Sequence, residues 1–228
     1  MKSAKLQLLV VLAAVLTVAG FFTARGLPPR VSMYRSAYYG DLTDLRRALN
    51  WGDNVNAAGD YGLTPLHAVA ESGRKEAAEF LLAHGADVDV KDNFSGGRLV
   101  PANRTPLHGA AESDSKEVVK LLLAHGAEVD AKDHYAATPL FRAANGGSKD
   151  VVELLLAHGA EVNARNCIGA TPLHGVALLG RKEVAELLIL NRAEVNAKDK
   201  DGKTPLRYAT GNHNKPVADL LRQHGAKE

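Results

Sequence analysis

After the Thr105-Pro106 pair, two stretches rich in apolar residues are separated by the polar residues "DSK". This pattern predicts two short helices joined by a polar turn. The first helix is expected over about 106–113, because Thr is a favoured N-cap residue and Pro suits the first helical position. The second is expected over about 116–124, where the apolar residues form a wide band. Gly126 then ends it in the left-handed conformation. A band this wide indicates that neighbouring units cover both flanks.

The same pattern recurs along the chain with a nearly constant period. Its clearest marker is the triplet Thr-Pro-Leu, and a His-Gly pair and a Val-Asn or Val-Asp pair follow in phase. The triplets begin at Thr64, Thr105, Thr138, Thr171 and Thr204, so the last three steps are equal and the first is longer. Such self-similarity indicates a repeat architecture in which stacked units share one continuous core.

The period, together with the segments "TPLHxAA" and "EVVxLLLAHGAEVNAKD", resembles the ankyrin repeat, and the resemblance covers residues 31–228 almost completely. It implies an all-α solenoid of helix-turn-helix units with projecting β-hairpin loops. It also implies a non-enzymatic module that binds a protein partner through hairpin tips and inner helices. The motif histidine is expected to join neighbouring turns by hydrogen bonds.

The resemblance divides residues 31–228 into six units, with polar caps at both ends. We place their boundaries at 31–59 for the first cap, about 60–92, 93–133, 134–166 and 167–199 for the repeats, and 200–228 for the last cap. The first cap lacks the Thr-Pro start. In the fifth unit Asn191-Arg192 replaces His-Gly, and Arg at a left-handed position costs about 1 kcal/mol. We therefore expect that turn to differ from the others.

The long step places eight additional residues in a loop at about 91–104, within the 93–133 unit and the residues just before it. Insertions in repeat arrays map to loops, often on the binding face. Neutral drift is the alternative, because additional loop residues cost little closure entropy. Two Asn-x-Ser/Thr triplets, at Asn93 and Asn103, are interpreted as chance matches.

The segment 1–30 is predicted to be a targeting segment rather than part of the stack. A short basic start precedes the uncharged apolar stretch 6–24, and the sequence "RGLPPR" separates it from the repeats. A helix of this length, at about 1.5 Å per residue, suits either a transmembrane anchor or a cleaved secretory signal. Either would make the protein membrane-anchored or exported, with its body outside the cytoplasm, in the periplasm if the organism is bacterial.

The charge of the remaining body argues against a nucleic-acid partner. Segment 1–30 contains Lys2, Lys5, Arg25 and Arg30 and no acidic side chain, so the body that follows has a slight excess of acidic over basic side chains. A basic patch or stripe is the usual mark of nucleic-acid binding. We expect a protein partner, contact with a membrane only through the N-terminal segment, and a monomeric stack.

The chain has nine histidines and one cysteine, Cys167, but their spacing gives no catalytic or metal site. Seven of the histidines recur with the repeat, so equivalent ones stand a repeat apart and do not converge on one metal ion. No nucleotide, hydrolase or metalloprotease motif is present. We therefore predict no catalytic residues, no metal and no cofactor.

Candidate partner-binding residues are those that vary between units at the hairpin tips and on the inner helices, because the scaffold does not dictate them. Leu178 is included because other units are polar there, although burial against its own turn is the alternative. The candidates are Asp60, Tyr61, Glu71, Phe94, Arg98, His134, Tyr135, Arg142, Asn145, Cys167, Ile168, Leu178, Lys200, Asp201 and Tyr208.

Three classes of function remain open at this stage. The leading one is a protein-protein interaction scaffold. The second is an accessory or regulatory subunit of an enzyme, or an enzyme with an unrecognised site in the repeat groove. The third is a unit that polymerises through its ends, which the charged caps disfavour.

Overall fold

The computed structural model describes residues 32–93 and 103–227, and the N-terminal segment, Phe94 and Arg98 lie outside these ranges. Within them, twelve α-helices form six antiparallel pairs and no strand is present. The pairs are α1 Met33–Tyr39 with α2 Leu42–Asn50, α3 Pro65–Ser72 with α4 Lys75–Ala83, α5 Pro106–Glu112 with α6 Lys116–Ala124, α7 Pro139–Gly146 with α8 Lys149–Ala157, α9 Pro172–Leu179 with α10 Lys182–Leu190, and α11 Pro205–Gly211 with α12 Lys215–Gln223. None of the described helices has both the length and the apolar character needed to cross a bilayer.

The first helix of each repeat, the inner helix, begins where the sequence predicts. The threonine of every Thr-Pro-Leu triplet is an extended N-cap residue with proline directly after it. In the fourth and last units the threonine hydroxyl accepts the backbone N–H of Phe141 and of Arg207, each at 3.3 Å. Because the cap satisfies an N–H that the helix leaves without a partner, it fixes the start of the inner helix.

The second helix of each pair, the outer helix, ends in a common turn. Its glycine has a φ between 83° and 86° in the first, second, third, fourth and last units. In the fifth unit Arg192 takes the same left-handed conformation, with a φ of 68°. The expectation that this turn differs is therefore wrong for its backbone. The side-chain amide of Asn191 donates to the carbonyl of Leu187 at 2.8 Å. In the third unit, His125 Nδ1 contacts the carbonyl four residues earlier in the same way.

One hydrophobic core runs through the stack from Met33 to Leu221. One fully buried leucine from each repeat forms a ladder along each helix layer. The inner helices contribute Leu66, Leu107, Leu140, Leu173 and Leu206, and the outer helices contribute Leu81, Leu122, Leu155, Leu188 and Leu221. Since a single helix pair cannot cover these leucines, stacking the repeats is what stabilises each of them.

In the parts of the chain that the structure describes, the loops between repeats are tight turns held by a side chain rather than regular β-hairpins. Asp133 shows the arrangement: its Oδ1 accepts the backbone N–H of Tyr135 at 2.8 Å and of Ala137 at 2.9 Å. Successive loops are joined by single backbone hydrogen bonds, such as that from Cys167 N to Tyr135 O at 2.7 Å. These links hold the loop tips in one row along the stack.

Candidate functional site

The motif histidines are occupied by structural hydrogen bonds. The backbone N–H of Thr105 lies 3.2 Å from His108 Nδ1, and the Thr105 hydroxyl lies 2.9 Å from the same atom. A backbone N–H only donates, so Nδ1 is the unprotonated nitrogen and Nε2 carries the hydrogen. Nε2 then donates to the carbonyl of Ala137 in the next repeat at 3.0 Å. The imidazole therefore caps its own helix and joins two repeats.

His67 and His174 make the same contacts, with their Nε2 atoms 3.0 Å from Arg104 O and 3.1 Å from Lys203 O. Burial lowers the pKa of all three histidines, and that of His108 falls to about 4. A neutral ring with both nitrogens engaged has no position left for a substrate or metal. Across residues 32–93 and 103–227, no group of three His, Cys, Asp or Glu side chains is placed to hold a metal ion.

A row of equivalent side chains crosses the inner helices near their C-terminal ends. We call it the groove row; it consists of Tyr38, Glu71, Glu112, Asn145 and Leu178. Each lies two residues before the position equivalent to Gly73, the residue that ends α3. Tyr38 is 42% exposed and Leu178 is 39% exposed, whereas the preceding turn of each inner helix is largely buried. The Leu178 side chain is thus partly exposed rather than fully buried against its own turn.

Arg142 and Tyr208, both at the position after the motif histidine, are tied to buried aspartates in the loops that precede their helices. Arg142 pairs with Asp133, whose side chain is fully buried, and its Nε donates to Asp133 Oδ2 at 3.0 Å. The Tyr208 hydroxyl donates to Asp199 at 2.7 Å, and burial together with this bond raises the tyrosine pKa to about 12. Each side chain is partly exposed, so it offers a fixed edge to the groove.

Four of the loops between repeats carry exposed side chains at their described tips. The Tyr61 and Tyr135 rings are exposed, and His134 lies edge-on to Tyr135 with 5.4 Å between ring centroids. Ile168 is also exposed, and Cys167 beside it is a free thiol. Lys200 and Asp201 are exposed at the last tip. Asp60 lies in the short 3-10 turn Asp60–Gly62 of the first tip.

The sequence-based list omits an aromatic cluster at the N-terminal end of the groove row. Tyr34, Arg35, Tyr38 and Tyr39 line a cavity of about 260 Å³. The rings of Tyr38 and Tyr39 meet edge-to-face at 5.5 Å, and the Arg35 guanidinium lies 5.9 Å from the Tyr39 ring. The sequence feature that could have revealed this cluster is the distance between Gly40 and Gly73, which equals one repeat length. It aligns Tyr38 with Glu71.

Comparison with protein families agrees with this geometry. The model for the ankyrin repeat matches residues 61–93, and the model for ankyrin repeats in three copies matches residues 94–166 and 140–228. The chain belongs to the ankyrin repeat family. The matched ranges contain the inner helices α3 to α11 and therefore most of the groove row.

Two curated proteins share part of this ankyrin repeat chain. The Arf-GAP with coiled-coil, ANK repeat and PH domain-containing protein 2 of Gallus gallus is 42% identical over 81 residues, which is 35% of this chain and 10% of that protein. The 2-5A-dependent ribonuclease of Mus musculus is 37% identical over 57 residues, which is 25% of this chain and 8% of that protein. The matches thus span about a tenth or less of each relative.

Proposed function

We propose that the protein is a non-enzymatic scaffold that holds a protein partner against the groove row and the loop tips. The ankyrin repeats support an interaction module. The observation that carries the proposal is the exposed leucine pair of α9, in which Leu178 is 39% exposed and Leu179 is 47% exposed. The equivalent residues at the end of α5, Glu112 and Ser113, are polar, so the scaffold does not require leucine there.

The loop tips extend the same surface. Tyr and Arg are enriched where binding energy concentrates, because a large, rigid or multiply bonding side chain gains much on burial. Tyr61 and Tyr135 present such rings on loops that the stack holds in place. Arg142 and Tyr208 are already fixed by their aspartates, so they lose little rotamer entropy when a partner binds.

The segment 1–30, which precedes the stack, bears on the cellular location of the protein. We propose that residues 6–24 anchor the protein in a membrane or direct its export, with the stack outside the cytoplasm. The uncharged apolar run of this segment, with basic residues before it, supports the proposal. Membrane fractionation with N-terminal sequencing of the native protein tests it: a soluble cytoplasmic chain that keeps residues 1–30 would refute it.

The binding proposal is tested by affinity capture with matched variants of the full chain. The groove variant is Leu178→Ser with Leu179→Ser. The control is Leu190→Ser, at the end of outer helix α10, where the side chain is 77% exposed. We expect the wild type and the control to capture the same partner. The groove variant should capture at least about 10-fold less of it. Equal capture by all three folded proteins would exclude α9 from the interface.

A further inference from the structure

The chemistry of the groove row indicates what kind of partner segment it accepts, and this inference rests on the proposed function. Between the aromatic end at Tyr38 and the apolar end at Leu178, two adjacent repeats place carboxylates in the row, Glu71 and Glu112. The row therefore has an acidic segment flanked by exposed apolar surface.

The acidic segment is only partly neutralised by the protein itself. Among the described residues, Arg104 is the cation that acts on Glu71; its Nη2 donates to Glu112 at 2.6 Å, and its side chain is only 11% exposed. Burial raises the pKa of Glu71; Arg104 opposes this shift, and the charges of Glu112 and Asp92 add to it. Among the described groups that act on Glu71, the carboxylates of Glu112 and Asp92 face the single guanidinium of Arg104, and a cation from a partner would be attracted to them.

The aromatic end adds a surface that suits the same cation. Helices α1 and α3 pack directly against each other, so Glu71 follows Tyr38 in the groove row at one helix spacing. Burial raises the pKa of Tyr34, and the charge of Glu71 raises it further. A Lys or Arg side chain can lay its aliphatic part on the Tyr38 ring while its charge faces Glu71. Two arginines also border this end and keep their charge: Arg35 lies over Tyr39, and Arg74 bonds to the Tyr38 carbonyl at 3.4 Å. The carboxylates of Glu71 and Glu112 are therefore the groups of the row that attract a partner's cation.

The distance between the acidic and apolar parts of the row follows from helix packing. Glu71 and Glu112 lie on α3 and α5, three and two inner helices before α9. Neighbouring helix axes are about 8–10 Å apart, so the leucine pair lies roughly 16–30 Å from these carboxylates. An extended chain covers about 3.3 Å per residue, so this separation corresponds to about five to nine residues.

We infer that the groove row binds an extended protein segment that carries a Lys or Arg and, about five to nine residues away, a large apolar side chain. The cation lies between the tyrosine cavity and the carboxylates of Glu71 and Glu112. The apolar side chain packs on Leu178 and Leu179. Charge complementarity selects the basic residue, and burial of the leucine pair supplies the second anchor.

The test is selection of phage-displayed random peptides, each long enough to span both parts of the row, on the purified full chain. Recovered sequences are expected to be enriched in Lys or Arg paired with an apolar residue at the stated spacing. The double variant Glu71→Gln, Glu112→Gln should weaken the binding of a selected peptide by about 10-fold or more. The control, Glu117→Gln with Glu153→Gln, makes the same change on outer helices α6 and α8 and should leave the affinity unchanged.

Each outcome bears on a different claim. This inference would be overturned if the selected peptides bind through Leu178 and Leu179 but are not enriched in Lys or Arg. It would also be overturned if they bind the Glu71→Gln, Glu112→Gln variant as tightly as the wild type. Either result would leave the proposed function standing. Peptides that bind equally well to the leucine and glutamine variants would contradict both. Unchanged urea midpoints for both glutamine variants establish that any loss of affinity does not come from unfolding.

Discussion

Acid should weaken the stack through its buried histidines, and His108 is where the effect is largest. The imidazole is fully buried and neutral, and burial lowers its pKa from 6.5 to about 4. Asp133 opposes this shift, while Arg104 and Arg142 add to it. In the unfolded chain the ring takes up a proton near pH 6.5, so the unfolded state binds more protons between pH 6.5 and 4.

The sign and size of the effect follow from that difference. The stabilisation is complete above pH 6.5 and is lost as the pH falls toward the folded pKa of about 4. Between pH 7 and pH 5 the linkage relation gives a loss of about 2 kcal/mol from His108 alone. His67 and His174, whose pKa values are also lowered by burial, lose stability in the same direction.

The variant that isolates this contribution is His108→Phe. The fourth repeat already holds a phenylalanine, Phe141, at the same position, so the fold accommodates the ring. At pH 7 the variant should be less stable by about 2–3 kcal/mol, because it lacks the bonds to Thr105 and Ala137. At pH 5 that difference should shrink by about 2 kcal/mol, since the variant has no imidazole to protonate at this position.

Urea unfolding followed by far-ultraviolet circular dichroism measures the effect. With a slope of about 2 kcal/mol per molar urea, the gap between the two midpoints should narrow by about 1 M from pH 7 to pH 5. The control His134→Phe replaces an exposed loop-tip imidazole and should keep the wild-type acid dependence. The dependence of the free energy of unfolding on urea concentration is first compared between the variants and the wild type, because repeat stacks can unfold in stages. A gap between wild type and His108→Phe that stays constant with pH would refute the reasoning.

Three further changes test the scaffold, each by urea midpoint. Arg192→Gly should stabilise the fifth repeat by about 1 kcal/mol, because glycine adopts the φ of 68° without steric cost; no change would mean that the turn is not strained. Thr105→Ala should destabilise the stack by about 1 kcal/mol more than Thr138→Ala, since it also removes a partner of His108; equal losses would show that the contact between Thr105 and His108 does not stabilise the stack. Asp133→Ala should cost about 3 kcal/mol or more, because two backbone N–H groups and a partly buried arginine lose their acceptor, and a loss below about 1 kcal/mol would show that water replaces it.

The helix ends could be predicted because they are local and repeat in phase, whereas the role of the motif histidine was implied by the resemblance to the ankyrin repeat. Thr105 and Gly126 act through their own conformations, and His108 reaches a carbonyl in the next repeat that the period fixes. The aromatic cavity could not be predicted in the same way. Its repeat lacks the Thr-Pro start, so only Gly40 gives the register that places Tyr38 in the groove row.

The states of the candidate residues depend on folding that sequence patterns do not encode. Arg142 lies on α7 and Asp133 in the loop before it, and only the loop conformation brings the guanidinium to that carboxylate. Arg192 adopts the left-handed backbone conformation, which is unfavourable for a residue with a side chain. The backbone hydrogen bonds of Asn191 and Ala193 on either side of it hold the turn in that conformation. The exposure of Leu178 likewise follows from how α9 packs between α7 and α11.

The most direct test of the central claim is site-specific photocrosslinking of the full chain in the cell that makes it. A benzophenone side chain replaces Leu178 in the groove row or Leu190 on outer helix α10, both of which are exposed. One discrete protein adduct is expected from position 178, and none of that mass from position 190. An adduct from position 190 alone, or equal adducts from both positions, would contradict a partner bound in the groove.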